Sequence, residues 1–239
     1  MRPLVLIGYD AREALPYQVC RASILAHGGG VDVLPLRRPV LEASSLYRRG
    51  SFIDAGQSYD VLDGKPFSTE FSFTRFLAPV VASLMDREWV LFVDSDFLFR
   101  RSVYELFEVA DPTYAVQVVK HDYRPEPGRK LRGQVKQERY NRKLWSALML
   151  MQVRRCRLTP FQVNTMPGAW LHGFQWLDDA AIGPLPESWH WVVGHSALGI
   201  EPAAVHYTLG TPDVPGHERD PFAAEWWEFA REETDGDPG

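Results

Sequence analysis

The 239-residue sequence predicts a single α/β domain in which helices cover both faces of one central sheet. Three observations predict this fold class. Short apolar runs alternate with helical patterns along the chain, as in α/β proteins. The run at residues 89–93 is apolar on both faces, which is typical of a strand at the centre of a parallel sheet. No internal repeat and no linker rich in proline, glycine or serine divides the chain, so we expect one domain.

The amino-terminal part predicts a strand, a helix and a second strand. Residues 3–8 form a continuous apolar run and predict the first strand. Apolar residues then recur at helical spacing between 15 and 26, and the glycines at 28–30 end that helix. Residues 31–35 predict the second strand. Residues 37–68 are polar and irregular, and we expect no regular element there.

The central part repeats this order of elements. Residues 73–85 predict a helix that leads into the buried strand at 89–93. Residues 102–105, Ser-Val-Tyr-Glu, have the form of a capping box and predict the start of another helix. Residues 114–119 predict the next strand. The alternation indicates helices on both sides of the sheet.

The composition is that of an ordinary globular protein. Hydrophobic residues make up 45% and charged residues 24%, which excludes disordered, collagen-like and disulfide-stapled classes. A chain of this length holds a core without a metal, so we expect any metal site to be functional. Cys20 and Cys156 have no zinc spacing, and no segment is apolar enough for a signal peptide or a membrane span. These features predict a cytoplasmic protein.

The formal net charge of −5 is unevenly distributed. Residues 129–143 contain seven basic residues and one acid, a net of +6, whereas residues 218–239 contain eight acids and two arginines, a net of −6. The basic segment fits either a phosphate-bearing partner or a solvated loop. Residues 232–239 predict a disordered acidic tail after a folded domain at 1–231.

Two carboxylates follow the buried strand, at Asp94 and Asp96. Residues at i and i+2 of an extended backbone point the same way, so both side chains can converge on one hard cation. They lie where open α/β sheets bind ligands, at the carboxyl end of a strand. The alternative is a turn or a capping pair, because aspartate is common after strands.

Three segments follow one another in a characteristic order: Ile-Gly-Tyr-Asp-Ala-Arg at 7–12, Val-Asp-Ser-Asp at 93–96, and Val-His-Tyr-Thr-Leu-Gly at 205–210. In this order they resemble the nucleotide-sugar glycosyltransferases of the GT-A fold, particularly the glycogenin-like and lipopolysaccharide-galactosyltransferase-like group. The resemblance implies a Rossmann-like mixed sheet. Three longer segments resemble a bacterial and phage-encoded branch of these enzymes: 68–76, 140–150 and 176–186.

The chain departs from that pattern in two places. Asn141, Leu144 and Ala147 stand within the stretch where the branch typically reads Pro-Arg-Lys-Asn-Trp-Ser-Ser. Residues 210–213, Gly-Thr-Pro-Asp, replace the Gly-Gly-Pro-Trp or Lys-Pro-Trp that usually follows the late histidine. The resemblance therefore does not assign the residues that grip the diphosphate.

The resemblance implies a metal site made by Asp94, Asp96 and His206. A departing diphosphate gains negative charge, which a divalent cation stabilises. This ligand set suits Mn²⁺ or Mg²⁺, and the imidazole favours Mn²⁺. Without the resemblance, His206 would be interpreted as a core or surface histidine.

The resemblance also implies residues that bind the donor, most simply a UDP-sugar. Tyr9 would stack on the base and Asp10 would accept hydrogen bonds, although Asp10 fits equally well as a helix N-cap. Arg75 would face the sugar or diphosphate; the alternative is a surface ion pair. The full predicted set is Gly8, Tyr9, Asp10, Arg12, Arg75, Ser95, Thr208 and Gly210.

Asp178 and Asp179 match the acid-amide pair that this group places near the donor sugar, which makes them the predicted catalytic residues. The alternative is an acidic helix start. Five of the eight tryptophans lie between 145 and 191 and form either an acceptor platform or part of the core. Trp145 and Ser146 are expected on a strand that faces the site. The remaining candidate histidines, His121, His172 and His195, are interpreted as structural.

The sequence therefore predicts a metal-dependent hexosyltransferase that retains configuration. The acceptor is either a hydroxymethylated base in phage DNA, bound through residues 129–143 in the host cytoplasm, or a saccharide or polysaccharide. A sugar nucleotidyltransferase is a rival, but residues 8–14 lack its Gly-rich basic loop. A non-enzymatic nucleotide-binding module is the third hypothesis.

Overall fold

A computed structural model describes residues 3–28, 30–122 and 142–235, together with the backbone of two short strands at 129–130 and 135–136. Most of the basic segment 129–143 and the end of the tail at 236–239 lie outside the described residues. The strands are β1 (Leu4–Tyr9), β2 (Asp32–Arg37), β3 (Ser51–Asp54), β4 (Gln57–Asp60), β5 (Pro66–Phe67), β6 (Trp89–Val93), β7 (Phe97–Phe99), β8 (Val116–Val118), β9 (Arg129–Lys130), β10 (Val135–Lys136), β11 (Leu148–Gln152), β12 (Ile182–Pro184), β13 (Trp191–Val192) and β14 (Ala204–His206).

The helices are α1 (Ala14–His27), α2 (Arg38–Ala43), α3 (Phe71–Thr74), α4 (Ala78–Leu84), α5 (Val103–Glu108), α6 (Pro160–Thr165), α7 (Gly168–His172) and α8 (Ala223–Asp235). Short 3-10 turns join several of them, at Ala11–Glu13, Arg75–Leu77, Trp145–Ala147, Asp179–Ala181 and Glu187–His190. Within the described ranges, none of these helices has the length and apolar character needed to cross a membrane.

Six strands form the central sheet in the order β12-β8-β11-β6-β1-β2. The pairs β1–β2, β1–β6 and β12–β8 are parallel, whereas β11 runs antiparallel to both of its neighbours. Strand β6 lies inside the sheet, and all five of its residues are buried. The predicted single α/β domain with a mixed, helix-flanked sheet is confirmed.

The continuous apolar runs of β1 and β6 arise because each strand supplies both faces of the sheet. Leu6 and Phe92 pack on one face with helices α3 and α4, whereas Ile7 and Val93 pack on the other face with α1 and α5. Burial on two faces removes the polar alternation of a half-exposed strand. The pattern that predicted these strands is therefore the pattern that the core requires.

The segment 37–68 differs from the prediction because it contains regular structure. It forms helix α2 and a small antiparallel sheet of β3, β4 and β5. Ala55 and Gly56 join β3 to β4 with positive φ angles of 46° and 79°, as in the favoured two-residue hairpin turns. This sheet is held by buried polar groups rather than by apolar alternation, so the hydrophobic pattern did not reveal it.

Three other boundaries differ. The helix predicted at 73–85 begins at Phe71 and is divided by the 3-10 turn at 75–77. Trp145 and Ser146 lie in a 3-10 turn before β11 and not on a strand, because the strand begins only at Leu148. Helix α8 continues to Asp235, past the predicted start of the tail at 232.

A buried ion pair anchors the small sheet. The Arg49 Nε and Nη2 atoms donate to the two carboxylate oxygens of Asp60 at 2.9 and 2.5 Å, and both side chains are at most 1% exposed. Nη1 donates to the carbonyl groups of Val163 and Met166. Arg49 therefore joins the β3–β5 sheet to α6.

Arg49→Met is expected to lower the free energy of unfolding by about 3–5 kcal/mol, because it leaves the Asp60 carboxylate buried without its partner. Urea denaturation measures this loss. The control is Arg101→Met, which breaks an exposed pair with Glu105 on helix α5 and is expected to cost less than about 1 kcal/mol. Equal losses of unfolding free energy in the two variants would contradict the anchoring role of the pair of Arg49 and Asp60.

Candidate functional site

A cavity of about 820 Å³ opens at the carboxyl ends of β1 and β6. The residues that follow these strands, Glu13 on one side and Asp94 and Asp96 on the other, line it. Ser146 joins them because β11 runs antiparallel and therefore begins at the same edge. The sheet topology thus collects polar side chains from distant parts of the sequence at one opening.

The structure brings together Asp94, Asp96 and His206. One ligand atom from each lies within 4.8 Å of the others. Strand β14 pairs with β7 so that His206 is opposite Phe97, the neighbour of Asp96. The His206 Nε2 atom lies 3.2 Å from Asp96 Oδ1, and its ring stacks on Phe97 with the centroids 4.4 Å apart. Strand register therefore brings a histidine from the end of the fold to the acid pair.

Arg75 is a buried part of the cavity wall and not a surface ion pair. Its Nη1 lies 2.9 and 3.2 Å from the two carboxylate oxygens of Asp94 and donates to the Ser146 carbonyl at 2.9 Å. Its Nε donates to the Phe71 carbonyl at 3.2 Å. These contacts fix both the guanidinium and the Asp94 carboxylate that it holds.

His172 also lines the cavity, although no motif in the sequence marks it as a site residue. A hydrogen bond of 2.9 Å joins its Nδ1 to the Ser146 hydroxyl. Burial, together with the nearby charge of Arg75, lowers the pKa of His172 to about 3. The ring is therefore neutral at physiological pH.

The Asp10 carboxylate is occupied by protein groups. It is buried, accepts hydrogen bonds from the backbone and side chain of Arg12, and accepts another from the Glu70 N–H at 3.0 Å. Burial acts to raise the pKa of Asp10, but these hydrogen bonds outweigh it and lower the pKa below its ordinary value. Of the two interpretations left open by the sequence, the structure favours the N-cap of the 3-10 turn.

Gly8 and Tyr9 do not line the cavity. A Cβ atom on Gly8 would lie 2.5 Å from the Phe71 ring, so the glycine permits close packing of β1 on α3. The Arg37 guanidinium covers the Tyr9 ring at 4.2 Å, and Tyr17 packs against its edge. The predicted stacking surface is therefore occupied by other side chains.

Three of the remaining predicted donor-binding residues do line the cavity: Arg12, Thr208 and Gly210. The Arg12 side chain stands at the rim and is 62% exposed. A Cβ atom on Gly210 would lie 2.7 Å from the ring of His217, so a glycine is needed for this approach.

Ser95 does not line the cavity itself, but it contacts a residue that does and that no sequence motif marks. Its buried hydroxyl donates to the Glu13 carboxylate at 2.7 Å, and Glu13 lines the cavity. Burial, followed by the charge of Asp96, raises the pKa of Glu13 to about 7. The only sequence signal for Glu13 is its position directly after the loop that ends β1.

Glu13→Gln is expected to make the change in the free energy of unfolding between pH 4.5 and pH 7.5 more positive than in the wild type, in chelator-treated protein. Between the ordinary pKa of 4.5 and the raised value of about 7, the folded state binds more protons than the unfolded state. The free energy of unfolding therefore falls as pH rises through this window, and the glutamine variant lacks this contribution. Urea midpoints at pH 4.5 and 7.5 measure the difference; buried histidines contribute equally to both proteins. Identical pH dependences would contradict the prediction.

The structure does not bring Asp178 and Asp179 to this cavity. Both are exposed, and Asp179 pairs with Arg142. They precede β12, which is the edge strand and lies three positions from β6 in the sheet order. Their distance from the acid pair follows from that position, which the adjacent-acid pattern could not reveal.

The tryptophan-rich region contributes to the core and does not line the cavity. Trp189 and Trp191 are buried, and Trp145, Trp170 and Trp176 are half-buried against apolar clusters. None of the five is among the residues that line the cavity. The interpretation as core aromatics therefore holds for the described part of the chain.

Comparison with known proteins places the chain in a family. No family model matches the sequence. The chain is, however, 38% identical over 231 residues to Protein CDI of Arabidopsis thaliana, covering 93% of this chain and 83% of the relative. The chain belongs to the CDI family.

Solved structures show that this CDI-family chain has the GT-A fold. The glycosyltransferase GlyE of Streptococcus pneumoniae TIGR4 is 15% identical, with a TM-score of 0.56 over 96% of the chain, which spans 60% of GlyE. The galactosyltransferase LgtC, solved with donor and acceptor sugar analogs, is 15% identical over 96% of this chain and 95% of LgtC, with a TM-score of 0.55. A glycosyltransferase involved in glycosylation of the PBCV-1 major capsid reaches 0.52 at 9% identity, over 97% and 100% of the two chains. The predicted GT-A resemblance is confirmed.

Proposed function

We propose that the protein is a metal-dependent glycosyltransferase that uses a nucleotide-sugar donor, most simply a UDP-sugar. The observation that carries the proposal is the convergence of Asp94, Asp96 and His206 at the carboxyl edge of the sheet, in a cavity of about 820 Å³. A cavity of this size is within the range that accommodates small-molecule ligands. The GT-A fold of the chain supports the same reaction class.

The donor atoms present fit a divalent cation. Two carboxylates and one imidazole form an oxygen and nitrogen ligand set, which suits Mn²⁺ or Mg²⁺ with a preference for Mn²⁺. When bound, such a cation supplies electrostatic stabilisation of the negative charge on a departing diphosphate. Asp94, Asp96 and His206 would hold it, and the cation would share the Asp94 carboxylate with Arg75.

The chain lacks the lysine-proline-tryptophan sequence after the late histidine, and cationic side chains of the cavity are candidates to bind the diphosphate instead. Arg12, Arg75 and Lys143 all line the cavity. Arginine and lysine are the usual partners of phosphate oxygens, arginine through two parallel hydrogen bonds. We assign the diphosphate to these side chains and to the loop at Thr208 and Gly210, in place of a lysine after His206.

The sugar and acceptor then occupy the cavity beyond Arg75. Ser146 and Asp63 line the cavity and supply a hydroxyl and a carboxylate. Groups of this kind bind sugar hydroxyls. The predicted catalytic roles of Asp178 and Asp179 and the retention of configuration remain predictions; the first is tested by Asp178→Asn and Asp179→Asn, the second by the anomeric signal of the product.

The test is a donor screen by nuclear magnetic resonance and thermal shift. UDP-, GDP-, CDP- and TDP-sugars are incubated with the protein and Mn²⁺, with and without a chelator. We expect one nucleotide class to raise the melting temperature and its sugar to be hydrolysed or transferred, both only with the cation. Full turnover in chelator would overturn the metal dependence. Release of pyrophosphate from a nucleoside triphosphate and a sugar phosphate would instead identify a nucleotidyltransferase.

The acceptor is tested separately. The DNA hypothesis rests on residues 129–143, which lie mostly outside the described residues, and the relative at 38% identity comes from a plant. We therefore propose a saccharide hydroxyl as the acceptor. A mobility shift with duplex DNA at low salt that disappears at high salt would favour DNA instead.

A further inference from the structure

His206 has a second ring nitrogen that faces the protein interior. Its Nδ1 lies 2.8 Å from the Nε2 atom of His190, while its Nε2 faces Asp96. His190 is completely buried and His206 is 2% exposed. The two imidazoles therefore share one hydrogen bond in a setting that excludes water.

The direction of this hydrogen bond decides which nitrogen of His206 carries the proton. A neutral imidazole has one N–H donor and one acceptor nitrogen. If Nδ1 of His206 donates to His190, the lone pair of its Nε2 points toward Asp94 and Asp96, as a metal ligand requires. If His190 donates instead, Nε2 of His206 carries the proton and can only donate to Asp96.

The other ring nitrogen of His190 takes no part in this hydrogen bond. Its Nδ1 is buried with no hydrogen-bond partner among the described residues. Its ring packs beside Phe97 and His121 with centroid distances of 5.1 and 4.7 Å, contacts that an apolar ring also makes. A buried polar atom without a partner costs stability. Packing therefore does not explain a histidine here, but the hydrogen bond to His206 does.

We propose that His190 is a positioning residue that holds His206 in the tautomer with its Nε2 lone pair directed at the acid pair. The inference rests on the metal site of the proposed function. It adds a residue from the turn before β13 that touches neither the cavity nor the expected cation. Outer-shell hydrogen bonds of this kind fix the orientation and tautomer of metal-binding histidines.

The test compares three variants by Mn²⁺ binding, measured by the loss of the free-ion electron paramagnetic resonance signal. His190→Phe keeps a ring but removes the acceptor, and we expect it to weaken Mn²⁺ binding by about 10–100-fold. His190→Gln retains an amide oxygen and is expected to restore most of this loss. The control is His121→Phe, which removes another buried imidazole of the same cluster, and with it the hydrogen bond from His121 Nε2 to the His190 carbonyl, but keeps both rings of the His190–His206 pair.

Nitrogen chemical shifts of ¹⁵N-histidine-labelled protein with Mg²⁺ provide a readout independent of affinity and turnover. In the wild type we expect a protonated Nδ1 on His206, and in His190→Phe a mixture of tautomers. Melting temperatures without metal show whether each variant is folded.

The outcomes separate the two proposals. A folded His190→Phe that binds Mn²⁺ as tightly as the wild type overturns the positioning role alone. A wild type that binds neither Mn²⁺ nor Mg²⁺ overturns the metal-dependent function, and the positioning role with it. A loss of the same size in His121→Phe and His190→Phe assigns the effect to packing and also rejects the proposal. If His190→Phe does not fold, two other results reject the proposal. One is a mixture of His206 tautomers in His190→Gln. The other is a wild type in which Nε2 of His206 carries the proton.

Discussion

Asp96→Asn is expected to abolish Mn²⁺-dependent transfer, with a loss of about three orders of magnitude in kcat. A divalent cation contributes several kcal/mol to transition-state stabilisation, and about 1.4 kcal/mol corresponds to a factor of ten in rate. The substitution removes a charged ligand from the set of Asp94, Asp96 and His206. Donor hydrolysis with a saturating nucleotide sugar measures the rate, and calorimetry with Mn²⁺ measures the lost binding.

Asp86→Asn is the matched control for this experiment. Asp86 lies before β6, at the opposite end of the strand, with a positive φ of 55° that asparagine tolerates well. We expect its turnover and its Mn²⁺ affinity to equal those of the wild type. Full turnover in Asp96→Asn would overturn the metal assignment, and a comparable loss in Asp86→Asn would show that the assay reports stability instead.

Arg75→Met is expected to reduce both stability and transfer while sparing Mn²⁺ binding. The free energy of unfolding should fall by about 3 kcal/mol, because the Asp94 carboxylate and the Ser146 carbonyl both lose a charged donor. The transfer rate should fall by about 100-fold or more, because an oriented guanidinium no longer stabilises developing charge. Mn²⁺ should bind at least as tightly as in the wild type, since Arg75 no longer competes for Asp94.

Chemical denaturation with and without Mn²⁺, together with calorimetry, separates these effects. We expect Mn²⁺ to restore part of the lost stability because the cation neutralises Asp94. The control is Arg87→Met, which breaks a partly exposed pair with Asp32 at the other end of the sheet and should cost about 1 kcal/mol or less. Loss of Mn²⁺ affinity in Arg75→Met would show that Arg75 supports the ligand set. It would contradict the expectation that Arg75 and Mn²⁺ compete for the Asp94 carboxylate.

Sequence patterns predicted the central elements within one to three residues. Strand β6 was predicted at 89–93 and is found there, because a strand buried on both faces must be apolar throughout. Helix α1 was predicted from apolar residues at 15–26 and spans Ala14–His27. The prediction that segment 37–68 has no regular element was wrong. Its small sheet depends on the buried pair of Arg49 and Asp60, which no local period encodes.

The candidate site shows the same division. The acid pair could be found from its position directly after a buried strand, at the edge where α/β sheets bind ligands. His206 required the family resemblance, because its approach to Asp96 depends on the pairing of β14 with β7. Glu13 and His172 were missed as cavity residues, since single polar residues without a motif carry no positional signal.

The sequence by itself determined the α/β order of elements and the buried strand that leads into Asp94 and Asp96. These properties follow from local hydrophobic periods, which depend only on neighbouring residues. Only the tertiary structure decided that Asp10 is a cap, that Arg75 holds Asp94, and that Asp178 and Asp179 stand away from the cavity. The contact of Asp10 with the Glu70 N–H and that of Arg75 with Asp94 join residues 60 and 19 positions apart, which no local period encodes.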